Sequence, residues 1–271
     1  MRLPLTPHSA TTREAGPALL STDLLLSEVT GSASTLAGIA GGADLTAPVP
    51  TCPDWTLRQL ITHVGRAHRW AAAIVATRAA APIPFRDVPD GRLPDDAGAR
   101  PGWLRDGAAR LAGAVRAGDG PVWTHLGPGP ASYWARRMAH ETAVHRADGE
   151  IAVGVRPVID PVIAADGIAE WLGFLPGAGA GEQRTVILPE GATLHVHATG
   201  AGADGEWILT GGAGGGVIVA PGHARCDAAL RGPASDLLLV LLRRLPPDDP
   251  GVAVIGDRSL LDGWLAGTPF G

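Results

Sequence analysis

The sequence predicts an α+β protein in which a four-helix bundle is followed by a smaller domain of mixed helices and strands. Up to about residue 150, apolar residues recur at helical spacing. Near residue 180 the period changes, and short β-branched runs alternate with glycine-rich turns. The 271 residues are enough to bury a core without disulfides. We expect a flexible tail over residues 1–15, the bundle over 16–152 and the α+β domain over 153–271.

The first two helices follow from leucine and alanine spacing and from the prolines between them. Residues Gly16–Ile39 carry apolar side chains at helical spacing and predict one long helix. Residues Pro48–Pro53 require an extended connection, because proline cannot continue a helix. Asp54 or Thr56 can then cap a second helix, which runs to about Arg78.

A proline-rich stretch separates the first helix pair from the second. We interpret Pro82–Pro101 as a long crossover, after which Trp103–Ala117 forms the third helix and Ser132–Gly149 the fourth. Four helices with one long crossover form a bundle, and bundles build metal sites from side chains on facing helices.

The smaller domain is entered through a helix and ends on one. We predict helices over Val158–Leu172, Ser235–Leu245 and Ser259–Leu265. β-branched runs predict strands at Thr185–Leu188, Thr193–His197, Glu206–Leu209, Gly216–Val219 and Val252–Ile255. Strands and helices in this order favour an α+β domain.

Composition excludes several classes of function. A net charge of −5 and a pI of about 6.0 give no basic surface for nucleic acid, so a small-molecule partner is expected. All 22 basic residues are arginine, which excludes Schiff-base chemistry. Cys52 and Cys226 match no disulfide pattern, and no stretch of 18 apolar residues occurs. We expect a cytoplasmic protein without a membrane segment, either a monomer or a homodimer.

The most informative motif is the pair Glu141 and His145. Residues i and i+4 of a helix share one face, so both side chains can reach a single ion. His63 on the second helix is a third candidate ligand, and three protein ligands leave the open position of a catalytic zinc. The alternatives are a polar pair, in which Arg137 neutralises Glu141, and a core histidine at His63.

Other histidines are poorer candidates for the same ion. His140 is about 100° around its helix from Glu141, and His68 is about 140° around from His63. Either could instead support a ligand from outside the coordination sphere.

Three further features have simple explanations. His195 and His197 share one face of a strand, and solvated histidines are favoured there over a second metal. Cys52 is interpreted as a small packing residue, because no base is adjacent in the sequence. Residues Gly211–Gly216 lack the lysine of a phosphate loop and are interpreted as a hairpin turn.

Two stretches carry a family resemblance. Cys52–His63 (CPDWTLRQLITH), with His68–Val75 after it, and Tyr133–Asp148 (YWARRMAHETAVHRAD) resemble signatures of the mycothiol-dependent maleylpyruvate isomerase family. Leu230–Arg244 is similar to the usual ending of that family, and the resemblance covers most of residues 18–266.

The resemblance implies a DinB-like four-helix bundle that holds a divalent metal, usually Zn²⁺, and a C-terminal domain resembling sterol-carrier-type folds. It implies His63, Glu141 and His145 as the metal ligands. It also implies an arginine from the smaller domain, for which four candidates remain: Arg231, Arg243, Arg244 and Arg258.

The resemblance further implies mycothiol as co-substrate, bound as thiolate and attacking an electrophilic small molecule. The reaction would be a cis–trans isomerisation or a transfer of the thiol sulfur. Two alternatives stay open: a thiol-independent zinc enzyme that hydrolyses, hydrates, cyclises or epimerises its substrate, and a ligand-binding protein braced by its metal.

Overall fold

The computed structural model describes residues 20–175 and 188–268, so the predicted tail lies outside the described residues. The helices are α1 (Thr22–Gly42), α2 (Leu57–Ala76), α3 (Arg100–Ala117), α4 (Ser132–Ala152), α5 (Pro161–Phe174), α6 (Ala234–Leu241) and α7 (Arg258–Gly267). The strands are β1 (Val122–Thr124), β2 (Gly127–Gly129), β3 (Thr193–Thr199), β4 (Glu206–Gly211), β5 (Val217–Pro221), β6 (Ala228–Pro233) and β7 (Ala253–Gly256). The predicted α+β class is confirmed.

The N-terminal helices form the predicted four-helix bundle. Helix α1 packs against α3 and α4, and α2 packs against the same two helices. Helices α2 and α4, which carry the candidate ligands, are therefore neighbours. Thr56 caps α2, since its hydroxyl accepts from the Gln59 amide while the Gln59 side chain accepts from the Thr56 amide. Asp54, the other predicted cap, lies in the preceding turn.

Helix α1 differs from its prediction at both ends. It begins at Thr22, later than predicted, because the Ser21 hydroxyl accepts from the Leu24 amide and caps it. It ends three residues beyond Ile39. Its internal serines do not interrupt it, because the Ser32 hydroxyl donates to Glu28 at 2.5 Å along the same helix.

A short hairpin between α3 and α4 was not predicted. Strand β1 pairs antiparallel with β2, and the Trp123 amide donates to the Ala79 carbonyl at 2.7 Å, which ties the hairpin to the end of α2. The sequence of β2 is Gly-Pro-Gly, which is typical of a loop and gives no strand signal.

The C-terminal sheet has the strand order β5-β4-β3-β6-β7, with β3 and β6 parallel and the other pairs antiparallel. Four predicted strands correspond to β3, β4, β5 and β7. In the fifth, residues 185–187 lie outside the described residues and Leu188 is a bend. Strand β6 was missed, because its sequence Ala-Ala-Leu-Arg-Gly-Pro contains no β-branched residue.

Three helices of the smaller domain confirm their predictions within a few residues. Asp160 caps α5, so this helix begins three residues after Val158. Helix α6 ends at Leu241, four residues early, and Arg243 follows with a φ of 60°. A left-handed residue cannot continue an α-helix. The chain therefore turns at the point where it meets the bundle.

One continuous apolar core runs from the bundle into the C-terminal sheet. It contains Trp134 of α4, Ile163 of α5, Leu238 of α6 and Val196 of β3, all at most 2% exposed. The smaller domain is thus packed onto the bundle, and their contact can form a site. Within the described residues, no helix combines the length and the apolar character needed to cross a bilayer.

The close contact between α2 and α3 depends on Gly65, because glycine has no side chain. A Cβ atom there would lie 2.1 Å from the Trp103 ring, which Arg69 covers on one face. We expect Gly65→Ala to lower the free energy of unfolding by about 1–3 kcal/mol through overpacking. Gly113→Ala is the control, because Gly113 lies in α3 with open space around it. This variant should raise the free energy of unfolding by roughly 0.5–1 kcal/mol. Urea unfolding followed by circular dichroism measures both, and equal effects would contradict the packing argument.

Candidate metal centre

The three predicted ligands lie together between α2 and α4. The His63 Nε2 atom is 3.0 Å and the His145 Nε2 atom 3.3 Å from the same oxygen, Oε1 of Glu141. All three ligand atoms lie within 4.8 Å of one another. Ligand atoms around a tetrahedral zinc with normal bonds are roughly 3.3 Å apart. The donor set and its spacing therefore fit a divalent ion.

Asp148 holds the second histidine in place, and sequence reasoning missed it. Its Oδ2 atom accepts from His145 Nδ1 at 2.8 Å, which leaves Nε2 directed at Glu141. A carboxylate behind a histidine is the usual support of a metal ligand. The signal in the sequence was an acidic residue three positions after His145, on the same face of the helix.

The pairing of Arg137 with Glu141, which was the alternative to a metal site, is also present and does not compete with the ligand geometry. Arg137 donates to Oε2 of Glu141 at 2.8 Å, while the histidines face Oε1. Arg137 also pairs with Glu170 of α5, which is 7% exposed. Glu141 can thus keep its arginine on one oxygen and offer the other to an ion.

The electrostatics of the site favour an ionised carboxylate. Burial raises the pKa of Glu141, but hydrogen bonds from His145 and His63 outweigh it and hold that pKa well below its usual value. Burial lowers the pKa of His145, but hydrogen bonds to Asp148, Cys52 and Glu141 hold it well above its usual value. An arriving cation therefore meets a charged carboxylate and must displace the proton of His145.

Trp55 and Cys52, the second of which was interpreted as a packing residue, line the site. The Trp55 ring lies 5.1 Å from the His63 ring and 6.0 Å from the His145 ring, stacked on the latter. The Cys52 Sγ atom is 3.4 Å from Asp148 Oδ2. No base is adjacent to Cys52 in the sequence, but the fold brings the Asp148 carboxylate of α4 next to it.

A cavity of about 660 Å³ opens over the candidate ligands and is lined by both domains. The loop before α2 contributes Cys52 and Trp55, and the segment after α6 contributes Leu242, Arg243 and Arg244. This volume is typical of a small-molecule site. A neighbouring cavity of about 550 Å³ shares His63 and Trp55 and is lined by three further arginines: Arg58, Arg66 and Arg92.

The structure separates the four candidate arginines. Arg244 donates to both oxygens of Asp148, at 3.0 and 3.1 Å, and lines the cavity. Arg243 also lines it, with its guanidinium bound to carbonyls at the end of α7. Arg231 is exposed on β6, in register with His197. Arg258 pairs with Asp262 within α7.

His68 and His140 take no part in the cluster, in agreement with the helix geometry. His68 is fully buried and bonds to the Thr142 hydroxyl at 2.8 Å. Burial, aided by Arg69, lowers its pKa to about 3, so this histidine is neutral. His140 bonds to Asp166 of α5 at 2.8 Å.

Family models match most of the chain. Residues 25–149 match the mycothiol maleylpyruvate isomerase N-terminal domain and residues 162–263 the C-terminal domain of that family. No curated protein matches. A mutant of the mycothiol-dependent maleylpyruvate isomerase, with histidine replaced by alanine, aligns at 17% identity over 87% of this chain and 93% of its own, with a TM-score of 0.51.

Two other solved structures align less well. A mycothiol-dependent maleylpyruvate isomerase is 16% identical over 87% of this chain and 93% of its own, with a TM-score of 0.49. A UbiJ-SCP2 ubiquinone synthesis protein is 21% identical over 39% of this chain and 92% of its own, with a TM-score of 0.26.

The pair of Asp148 and Arg244 joins the two domains, and its loss should destabilise the protein. The Asp148 side chain is 0% and that of Arg244 8% exposed, so Asp148→Asn leaves a buried guanidinium without its counter-charge. We expect the free energy of unfolding to fall by roughly 3–5 kcal/mol. Unfolding in urea with a chelator present measures this without a contribution from metal.

Asp262→Asn is the matched control, because it breaks an arginine–aspartate pair whose partners are 47% and 49% exposed. Asp262→Asn should lower the free energy of unfolding by less than about 1 kcal/mol. A similar cost for both variants would show that the buried pair contributes no more than a surface pair.

Proposed function

The chain belongs to the mycothiol-dependent maleylpyruvate isomerase family, and from this premise we propose that it is a metal-dependent enzyme that directs a low-molecular-weight thiol at an electrophilic small molecule. The observation that carries the proposal is the convergence of His63, Glu141 and His145 on one point in the wall of the cavity that both domains line. Mycothiol is the proposed thiol, and a carboxylate-bearing, conjugated molecule is the proposed substrate class.

We propose that His63, Glu141 and His145 hold the ion, with Zn²⁺ favoured by two imidazoles and one carboxylate. Three protein ligands leave a position for an exogenous group. When bound, the cation supplies a positive charge that favours a thiolate over the thiol at neutral pH.

The surrounding residues fix the orientation of the ligands. Asp148 accepts from Nδ1 of His145, so the proton that an ion would displace is the one on Nε2, which faces Glu141. Arg137 orients the Glu141 carboxylate through Oε2. The indole of Trp55 stacks on the His145 ring and lies 5.1 Å from the His63 ring, so it limits the positions that both rings can take.

Arg244 is the arginine that we propose to act on the substrate. Its guanidinium is oriented by Asp148 and by the Leu242 carbonyl, and its Nη2 atom lies 3.9 Å from Cys52 Sγ at the cavity wall. A planar guanidinium held in this way can bind a carboxylate or the oxygen on which negative charge develops.

The proposed chemistry has two possible outcomes at one site. The thiolate sulfur forms a bond to a carbon of a cis double bond, and the electron pair moves onto the conjugated carbonyl oxygen. The former double bond is now a carbon–carbon single bond and can rotate. Loss of the same sulfur after this rotation gives the trans product and returns the thiolate. If the sulfur stays attached and the carbon is protonated, the product is a thioether. Product analysis separates isomerisation from sulfur transfer.

The decisive experiment measures turnover of a conjugated cis keto acid with and without mycothiol. Turnover that requires the thiol supports the proposal. Turnover of an electrophile or ester in thiol-free buffer would favour the thiol-independent alternative, in which the same cation activates water or a carbonyl.

His63→Ala should remove the ion and the activity together, because it deletes one of three ligands. We expect the zinc content to fall by one equivalent per chain and the thiol-dependent turnover to disappear. Glu141→Gln should weaken the binding of the ion less than His63→Ala does, since an amide oxygen can still coordinate. Elemental analysis and the turnover assay check both, and full zinc occupancy in His63→Ala would refute the ligand assignment.

Arg244→Lys should lower kcat/KM while the ion is kept, because a lysine retains the charge but not the planar pair of donors. We expect a loss of about 10–100-fold, the cost of one charge-assisted hydrogen bond of 1.5–3 kcal/mol. Arg258→Ala is the control, because this arginine pairs only within α7 among the described residues and should leave kcat/KM unchanged. An unaltered kcat/KM in Arg244→Lys would remove Arg244 from the mechanism.

A further inference from the structure

A second cluster of metal-binding side chains lies in the C-terminal domain, outside the candidate centre. Ligand atoms of His195, His197, Glu206 and His223 lie within 4.8 Å of one another. His195 Nε2 and His223 Nδ1 are 2.9 and 2.5 Å from Oε2 of Glu206, and His197 Nε2 is 3.7 Å from its Oε1.

The sheet itself brings the first three residues together. Residues His197 and Glu206 face each other across the antiparallel pair β3 and β4, and His195 lies two residues away on the same face of β3. The alternate residues, Leu194 and Val196, are buried in the core on the opposite face. Three donors are therefore placed by strand register alone.

The fourth donor is placed by the end of β5. The Gly222 amide donates to the Glu206 carbonyl at 3.1 Å, and Gly222 adopts a φ of 139° that favours glycine. This turn directs the next residue, His223, back over Glu206. The exposed side chain of His223 covers the more buried His195, whose side chain is 6% exposed.

We propose that these four residues bind a divalent transition metal ion, with Zn²⁺ favoured by three imidazoles and one carboxylate. Tetrahedral zinc separates its ligand atoms by roughly 3.3 Å. The three histidines lie 2.5 to 3.7 Å from oxygens of Glu206, and the four ligand atoms lie within 4.8 Å of one another, so shifts of about an ångström would close the shell. The solvated histidines favoured by the sequence alone do not account for three rings directed at one carboxylate.

The ligand count assigns this ion a structural role. Four protein ligands complete a tetrahedral shell and leave no position for substrate, in contrast to the three ligands of the candidate centre. The ion would join β3, β4 and the end of β5, which is the edge strand of the sheet. Binding to the folded state alone raises its stability.

The test compares zinc content and affinity in two backgrounds, the unaltered chain and His63→Ala, each with and without His223→Ala. In both backgrounds, we expect His223→Ala to lower the affinity for one zinc ion. The loss should be at least the roughly 10–100-fold that removal of an outer-sphere partner causes. His223 is 71% exposed, so its replacement should not impair folding. Added zinc should raise the Tm of His63→Ala, and His223→Ala should abolish that shift.

His125→Ala is the matched control, because His125 is also exposed and bonds to the Tyr133 hydroxyl instead of a carboxylate. It should change neither zinc content nor the shift in Tm. Glu206→Gln is a second test of the cluster and should weaken the same zinc. The proposal is overturned if zinc content and affinity are the same with and without His223→Ala and Glu206→Gln.

Discussion

The buried carboxylate of Asp148 is the group on which the arrangement of the candidate centre depends. It accepts from His145 of the bundle and from Arg244 of the smaller domain, and Thr51 and Cys52 contact it from the loop before α2. Burying one charge with this many donors is stabilising only when every donor is in place. The candidate ligand His145, the cavity wall and the domain contact are therefore positioned by a single side chain.

Helix packing supplies the other half of the site. Because α2 and α4 are neighbours in the bundle, a histidine from one and a Glu-x-x-x-His pair from the other meet without any special loop. Arg137 and Glu170 extend the ion-pair chain from Glu141 to α5. In both Glu141 and His145, burial is outweighed by hydrogen bonds. His145 and His63 lower the pKa of Glu141, and Asp148, followed by Cys52 and Glu141, raises that of His145.

The sequence predicted what local periodicity encodes and missed what only the fold brings together. The bundle, Thr56 as a helix cap and the three candidate ligands followed from spacing and from the family motifs. The neighbours of Cys52 could not be predicted, because Asp148 and Arg244 are 96 and 192 positions away. Strands β2 and β6 were missed because glycine, proline and alanine are depleted in strands, whereas β1 (Val-Trp-Thr) has a strand composition but is only three residues long.

The choice among four arginines shows how the structure adds to a motif. No local motif in the sequence separates the four. The left-handed backbone at Arg243 ends α6 and directs the next residue, Arg244, toward the bundle, where the carboxylate of Asp148 receives it. Arg231 does not face the bundle. It is in register with His197, and strand alternation places both residues on the outer face of the sheet. Backbone geometry, more than residue type, thus decides which guanidinium pairs with Asp148 at the cavity wall.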